Sequence, residues 1–205
     1  MKKEILKKSI PYVVALAIFI ILSLIYAAPE VFDGKVLQAG DQISGKGMAH
    51  EVVDYHQKTG DYSWWTGSMF GGMPTYQIGG GKYPAPAVDI PYNKITRLGF
   101  TGLLALFMGY FIGFFILLRS FKINEWLSII GSIAITLSTY FMLIIPAGHN
   151  AKVIAIALLA PIIGGFYLIY RKKYGWGAII TLIYTSIGIM MHPQMTYYIF
   201  MLIGL

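Results

Sequence analysis

Residues 98–118 read LGFTGLLALFMGYFIGFFILL, a run without a single Asp, Glu, Lys or Arg. Wound as an α-helix it spans roughly 30 Å, the thickness of a bilayer's hydrocarbon core. Comparable runs occupy approximately 10–28, 126–147, 153–170 and 175–191, and a further one begins near Gln194 and stops at Leu205. The expected fold is all-α: a polytopic transmembrane bundle of about five complete spans and the start of a sixth. A chain ending at Leu205 would leave backbone carbonyls and a carboxylate inside the bilayer, so residues 1–205 read as the N-terminal part of a longer membrane domain.

Composition agrees. The chain is 57% hydrophobic and 12% charged, with a mean hydropathy of +0.65, far from ordinary soluble usage. It has no cysteine, which excludes disulfides and thiolate metal sites.

A net charge of +7 with a pI near 9.4 would suit a nucleic-acid binder, but only if the cations shared a wet surface. They do not. With the N-terminus inside, Lys2, Lys3, Lys7, Lys8, Arg119, Lys122, Arg171, Lys172 and Lys173 all fall in inside segments, as the positive-inside rule requires. Those segments hold nine Lys/Arg against two acids, Glu4 and Glu125, while the outside segments hold seven against seven. The inside excess therefore accounts for the whole net charge, and the basic character reports topology, with the lipid bilayer as partner and no nucleic acid. The lysines before the first run also resemble the start of a signal peptide, but its length and the poor cleavage context at Tyr26-Ala27-Ala28 favour a retained span. Trp126, Tyr170, Tyr174 and Trp176 sit beside inside ends, where amphipathic rings anchor at headgroups. Gly109, Gly113, Gly164 and Gly165 read as close helix-packing positions.

Residues 29–97 form a long loop outside, between the first two spans. Trp64, Trp65, Met69, Phe70, Tyr76, Tyr83 and Tyr92 give it material for a folded cap. Within it, Gly45 to Lys58 reads as a short amphipathic helix stopped by Gly60, with His50 and Asp54 on one face. That pair resembles the start of HExxH, but Asp at position 54 makes a solvated face the better reading. Gly79-Gly80-Gly81-Lys82 lacks the required residues of a phosphate loop, with Tyr76 and Tyr83 at the key positions, and reads as a turn before the Pro-rich stretch 84–91.

Two short outside turns are conspicuously polar. In Pro146-Ala147-Gly148-His149-Asn150-Ala151-Lys152, Asn150 is a candidate cap for the fourth span, whose N-terminal amides and Lys152 together present positive charge suited to a phosphate. In His192-Pro193-Gln194, Pro193 opens the next helix. Each polar residue alone is accounted for by capping and headgroup contact. Together, His149, Asn150, Lys152, His192 and Gln194 face the compartment of the structured loop.

The stretches Gly34-Lys35-Val36-Leu37, Gly40-Asp41-Gln42, Trp65-Thr66-Gly67-Ser68-Met69-Phe70-Gly71-Gly72-Met73-Pro74, Ala147-Gly148-His149-Asn150-Ala151-Lys152 and His192-Pro193-Gln194-Met195-Thr196-Tyr197-Tyr198 resemble the YfhO-like bacterial membrane proteins across essentially the whole chain. That family is similar to GT-C glycosyltransferases, which move a sugar from a polyprenyl-phosphate carrier to an acceptor outside the cytoplasmic membrane. The resemblance implies a multi-pass protein of the bacterial inner membrane with a cytoplasmic N-terminus, acting on an envelope glycan or lipid.

It further implies Asp41 as the general base, or as a carboxylate that orients substrate or binds metal. His149, Asn150 and Lys152 become donor-phosphate ligands, and His192, Gln194 and Trp65 substrate contacts. Trp64 and Trp65 suit packing of the loop as well as stacking on a sugar, and Gly71 and Gly72 suit a turn. Asp41 is followed by Gln42 instead of a second acid, so no strong motif supports a divalent metal cofactor, and no metal ligand is assigned. A transporter or flippase of an envelope lipid or glycan is the alternative reading, although its polar groups would line a path across the bilayer instead of clustering at one surface. A non-catalytic scaffold whose aromatic loop binds a partner is the third.

Overall fold

The structure, a computed structural model, describes residues 2–75 and 98–204. Tyr76, Tyr83, Tyr92, the Gly79–Lys82 run and the 84–91 stretch lie outside the described residues, as does Leu205. In chain order the elements are α1 (Lys2–Tyr26), α2 (Ala28–Val31), α3 (Gly40–Thr59), β1 (Trp65–Thr66), β2 (Met73–Pro74), α4 (Gly102–Ser120), α5 (Glu125–Thr136), α6 (Thr139–Ala147), α7 (Asn150–Tyr170), α8 (Tyr174–Met191) and α9 (Pro193–Gly204). The described chain is mostly helical.

Among the described residues, three helices are long and apolar enough to cross a membrane: Lys7–Tyr26 within α1, then α4 and α7. The run expected as one span at 126–147 is broken into α5 and α6, which meet at 46°. Taken together they make a fourth candidate. Hydroxyl-bearing residues precede and flank the break. Ser132 Oγ bonds back to the Ser128 carbonyl at 2.7 Å, a contact that bends helices, and Ser138, in extended backbone, opens the second segment. The run expected at 175–191 is helical, but its apolar stretch Tyr174–Ile189 is shorter than the other three.

Aromatic rings join α1 to α4 in antiparallel register. Tyr26 stacks on Phe107, Phe19 lies parallel to Phe111 with centroids 4.8 Å apart, and Tyr12 meets Phe115 edge-on. The opposite face of α1 leaves Val13, Ile21 and Ile25 exposed, a face that suits lipid. α4 and α7 run side by side in the same direction and form the centre of the bundle, with Phe107, Met108, Tyr110, Phe111 and Val153 buried between their neighbours.

Small residues set the spacing. A methyl carbon added at Gly113 would overlap the Ala157 carbonyl oxygen, and one at Gly165 would overlap the Thr181 hydroxyl of α8. The same addition at Gly109 would meet only the Ala157 methyl at 3.7 Å, ordinary contact. Between Gly109 and Gly113, it is Gly113 that lets the backbones touch.

The described part of the loop is folded. α3 starts five residues before the expected Gly45 and ends, as expected, at left-handed Gly60 (φ 77°). Asp41 in its first turn favours the earlier start, although Gly45 and Gly47 within it are poor helix formers. His50 and Asp54 form an exposed pair at 3.4 Å on a solvated face. Beyond α3, Trp65 pairs with Pro74 and Thr66 with Met73 in a small antiparallel hairpin, turned through Phe70, Gly71 and Gly72, all with positive φ. Glu51 fastens it to α3 by accepting hydrogen bonds from the Thr66 hydroxyl and the Gly67 amide.

Candidate functional site

The loop meets the helix bundle at the turn that joins α6 to α7. Gly148 ends α6 in the left-handed conformation (φ 94°), which any side chain would strain. Space there is also tight, since an added Cβ would stand 3.0 Å from the Ala39 Cβ and 3.1 Å from the Asp41 Cβ. Glycine at 148 thus lets the first turn of α3 lie directly against the start of α7.

That approach brings two of the expected residues together. His149 Nδ1 lies 2.7 Å from Asp41 Oδ2, with the side chains 53% and 58% exposed. Both groups remain open to a ligand. His149, not Asn150, is the N-cap residue of α7, and its side chain makes no capping bond. Its ring is committed to Asp41, and Asn150 becomes the first helical residue. A carboxylate accepting from Nδ1–H fixes the imidazole tautomer and leaves Nε2 as a proton acceptor.

A cavity of about 240 Å³ is lined by neither member of the pair but by Glu30, Gln42, Asn150 and the apolar Leu103, Leu106 and Ile154. Gln42 and Asn150 are chain neighbours of Asp41 and His149. A second hollow of about 480 Å³ shares Val36, Leu37 and Gln42 and extends to Ile43 and Lys46.

Glu30 has a role that sequence reading missed. Its Oε2 accepts from the Leu103 amide at 2.7 Å, and its carboxyl packs where a side chain at Gly102 (φ 61°) would have to go. α4 has no cap from Thr101, so Glu30 supplies it from the far side of the loop, with its charge at the positive end of the helix dipole. The available signal was an acid, just after Pro29, at the end of a span.

The other expected site residues are placed separately. Lys152, in the first turn of α7, holds its ammonium 5.8 Å from the centre of the Tyr140 ring. His192 and Gln194 bond within α9, His192 Nδ1 accepting from the Met195 amide and Gln194 Nε2 donating to the Tyr198 hydroxyl at 2.8 Å. Trp65 is exposed on the hairpin with its indole over Gly72. The hairpin is tied to Glu51, which at 1.5 Å per helical residue stands about 15 Å along α3 from Asp41. Packing of the hairpin accounts for Trp65 without any part in the Asp41–His149 pair. Among the described residues no cluster of three His, Asp or Glu could hold a metal ion.

The arrangement can move a proton, through the carboxylate–imidazole pair, and can receive an anion at the first amides of α7 beside Lys152. Comparison of the chain with protein families, with curated proteins and with solved structures finds no match.

Proposed function

We propose that this protein is a membrane glycosyltransferase that moves a sugar from a polyprenyl-phosphate donor to a cell-envelope acceptor at the outer face of the bacterial inner membrane. The observation that carries the reading is the Asp41–His149 contact, a proton-accepting pair built at the foot of a helix whose N-terminus suits phosphate. In this reading the outer end of the bundle is the one that carries the loop.

The acceptor hydroxyl gives its proton to His149 Nε2 as its oxygen bonds to the anomeric carbon. The bond from that carbon to the phosphate oxygen breaks, and the electron pair leaves with the polyprenyl phosphate. Asp41 holds the ring and stabilises the imidazolium that forms. The amides of α7 and Lys152 meet the charge growing on the phosphate. Val36, Leu37 and Ile43 offer apolar walls near it for a prenyl chain.

The test is transfer from labelled polyprenyl-phosphate sugars to mixed envelope acceptors in proteoliposomes. Asp41→Asn and His149→Ala should each cost about 100-fold or more, and Lys152→Ala should raise the donor KM. Transfer that survives Asp41→Asn overturns the reading. Passage of the labelled lipid across the bilayer without any new glycosidic bond would favour a transporter.

A further inference from the structure

The opposite end of the bundle carries a further cavity, of about 620 Å³, between α1, α4, α7 and α8. Its walls are apolar, with Phe115, Ile116, Leu168 and Ile180 among them, and its rim holds Lys122, Arg171 and Lys173. A smaller hollow of about 230 Å³ shares those three cations and adds Tyr170 and Lys172. Among the described residues no acid pairs with Lys122, Arg171, Lys172 or Lys173. The neighbouring acid, Glu125, is held by Arg119 at 2.5 Å, and Arg119 also reaches the Tyr12 hydroxyl at 3.2 Å. Arg119 is thereby used in joining α4 to its neighbours, and the other four cations are free.

Backbone conformation singles out two of these lysines. α4 and α7 end alike: the Ile123 amide bonds to the Leu118 carbonyl and the Lys122 amide to Arg119, while Lys173 bonds to Leu168 and Lys172 to Ile169. In such an ending the residue that turns left-handed is usually glycine. Here it is Lys122 (φ 62°) and Lys172 (φ 60°). The helix dipole favours a cation in the last turn, but not at the residue whose backbone strains under any side chain. Both strained lysines line the smaller hollow, which shares Lys122, Arg171 and Lys173 with the larger cavity.

We infer that this end of the bundle seats one anionic glycerophospholipid, with an acyl chain along the apolar walls and the headgroup phosphate among Lys122, Arg171, Lys172 and Lys173. Charge complementarity selects an anionic headgroup over a zwitterionic one, and the apolar floor selects a lipid over free phosphate. The positive-inside rule assigns this end to the cytoplasmic leaflet. The site is independent of the proposed transfer reaction.

Trp176 lines the cavity, so phospholipids with brominated acyl chains report occupancy by quenching its fluorescence. In the full chain, purified in detergent with Trp64, Trp65 and Trp126 replaced by Phe, brominated phosphatidylglycerol should half-quench at a concentration about tenfold or more below that of brominated phosphatidylcholine. Lys122→Gly with Lys172→Gly, which relieves the backbone while removing two charges, should abolish most of that preference and leave thermal unfolding unharmed. Lys122→Arg with Lys172→Arg should keep it. Equal quenching by the two lipids, a preference that survives the glycine pair, or displacement of the lipid by millimolar inorganic phosphate would each overturn the inference.

Discussion

Asp41 Oδ2 and His149 Nδ1 stand 2.7 Å apart, joining the first turn of a loop helix to the turn between α6 and α7. Both side chains are more than half exposed, and exposed ion pairs stabilise by about 1 kcal/mol or less. A double-mutant cycle of Asp41→Asn and His149→Gln, read by thermal unfolding, should therefore give a coupling below about 1 kcal/mol. Under the proposed function the same substitutions remove nearly all transfer. A large coupling with unchanged transfer would make the pair a structural clasp.

Gly148→Ala should do more damage to the fold than either member of that pair. It places a side chain at φ 94° and 3.1 Å from the Asp41 Cβ, so it should cost about 1–3 kcal/mol through strain and displacement of α3. Gly47→Ala, in open space on the same loop helix, should instead stabilise by about 0.5–1 kcal/mol. Unfolding of the two variants in detergent checks the contrast.

Gly113 and Gly109 should separate in the same way. Gly113→Ala forces α4 away from the Ala157 backbone and should destabilise by about 1–3 kcal/mol. Gly109→Ala meets the Ala157 methyl at 3.7 Å and should be neutral or gain up to about 1 kcal/mol in helix propensity. Equal loss from both would mean that the α4–α7 contact is not where the glycines place it.

Glu30→Ala removes the cap of α4 and should cost about 1–2 kcal/mol. Hydrogen exchange localises the effect: the Leu103 amide, 2.7 Å from Glu30 Oε2, should lose protection while amides near Gly113 keep theirs. A uniform loss along α4 would point to global unfolding instead.

Hydropathy was sufficient for the strongest spans. Runs 98–118 and 153–170 became α4 and α7 with ends shifted by a few residues, because twenty apolar residues in sequence leave the backbone little choice but helix. It was blind to the α5–α6 break, since Thr136, Ser138 and Thr139 barely change a hydropathy average, yet Ser138 sits in extended backbone between the two helices. α3 was read short because Gly45 sits inside it. Sequence placed Asp41 and His149 on one face of the membrane, but not in contact, since that contact depends on the left-handed turn at Gly148. Glu30 was overlooked because its partner, the Leu103 amide, is a backbone group across the loop, which no side-chain pattern reveals.

The Asp41–His149 contact also has a place in time. Synthesis delivers α3 well before the turn that holds it, with α4, α5 and α6 made in between. The hairpin can dock on Glu51 early, from neighbouring sequence alone, whereas the first turn of α3 must wait for residues 148 and 149 to arrive. The cap is thus born half-fastened, and its final anchoring follows the assembly of the helices beneath it.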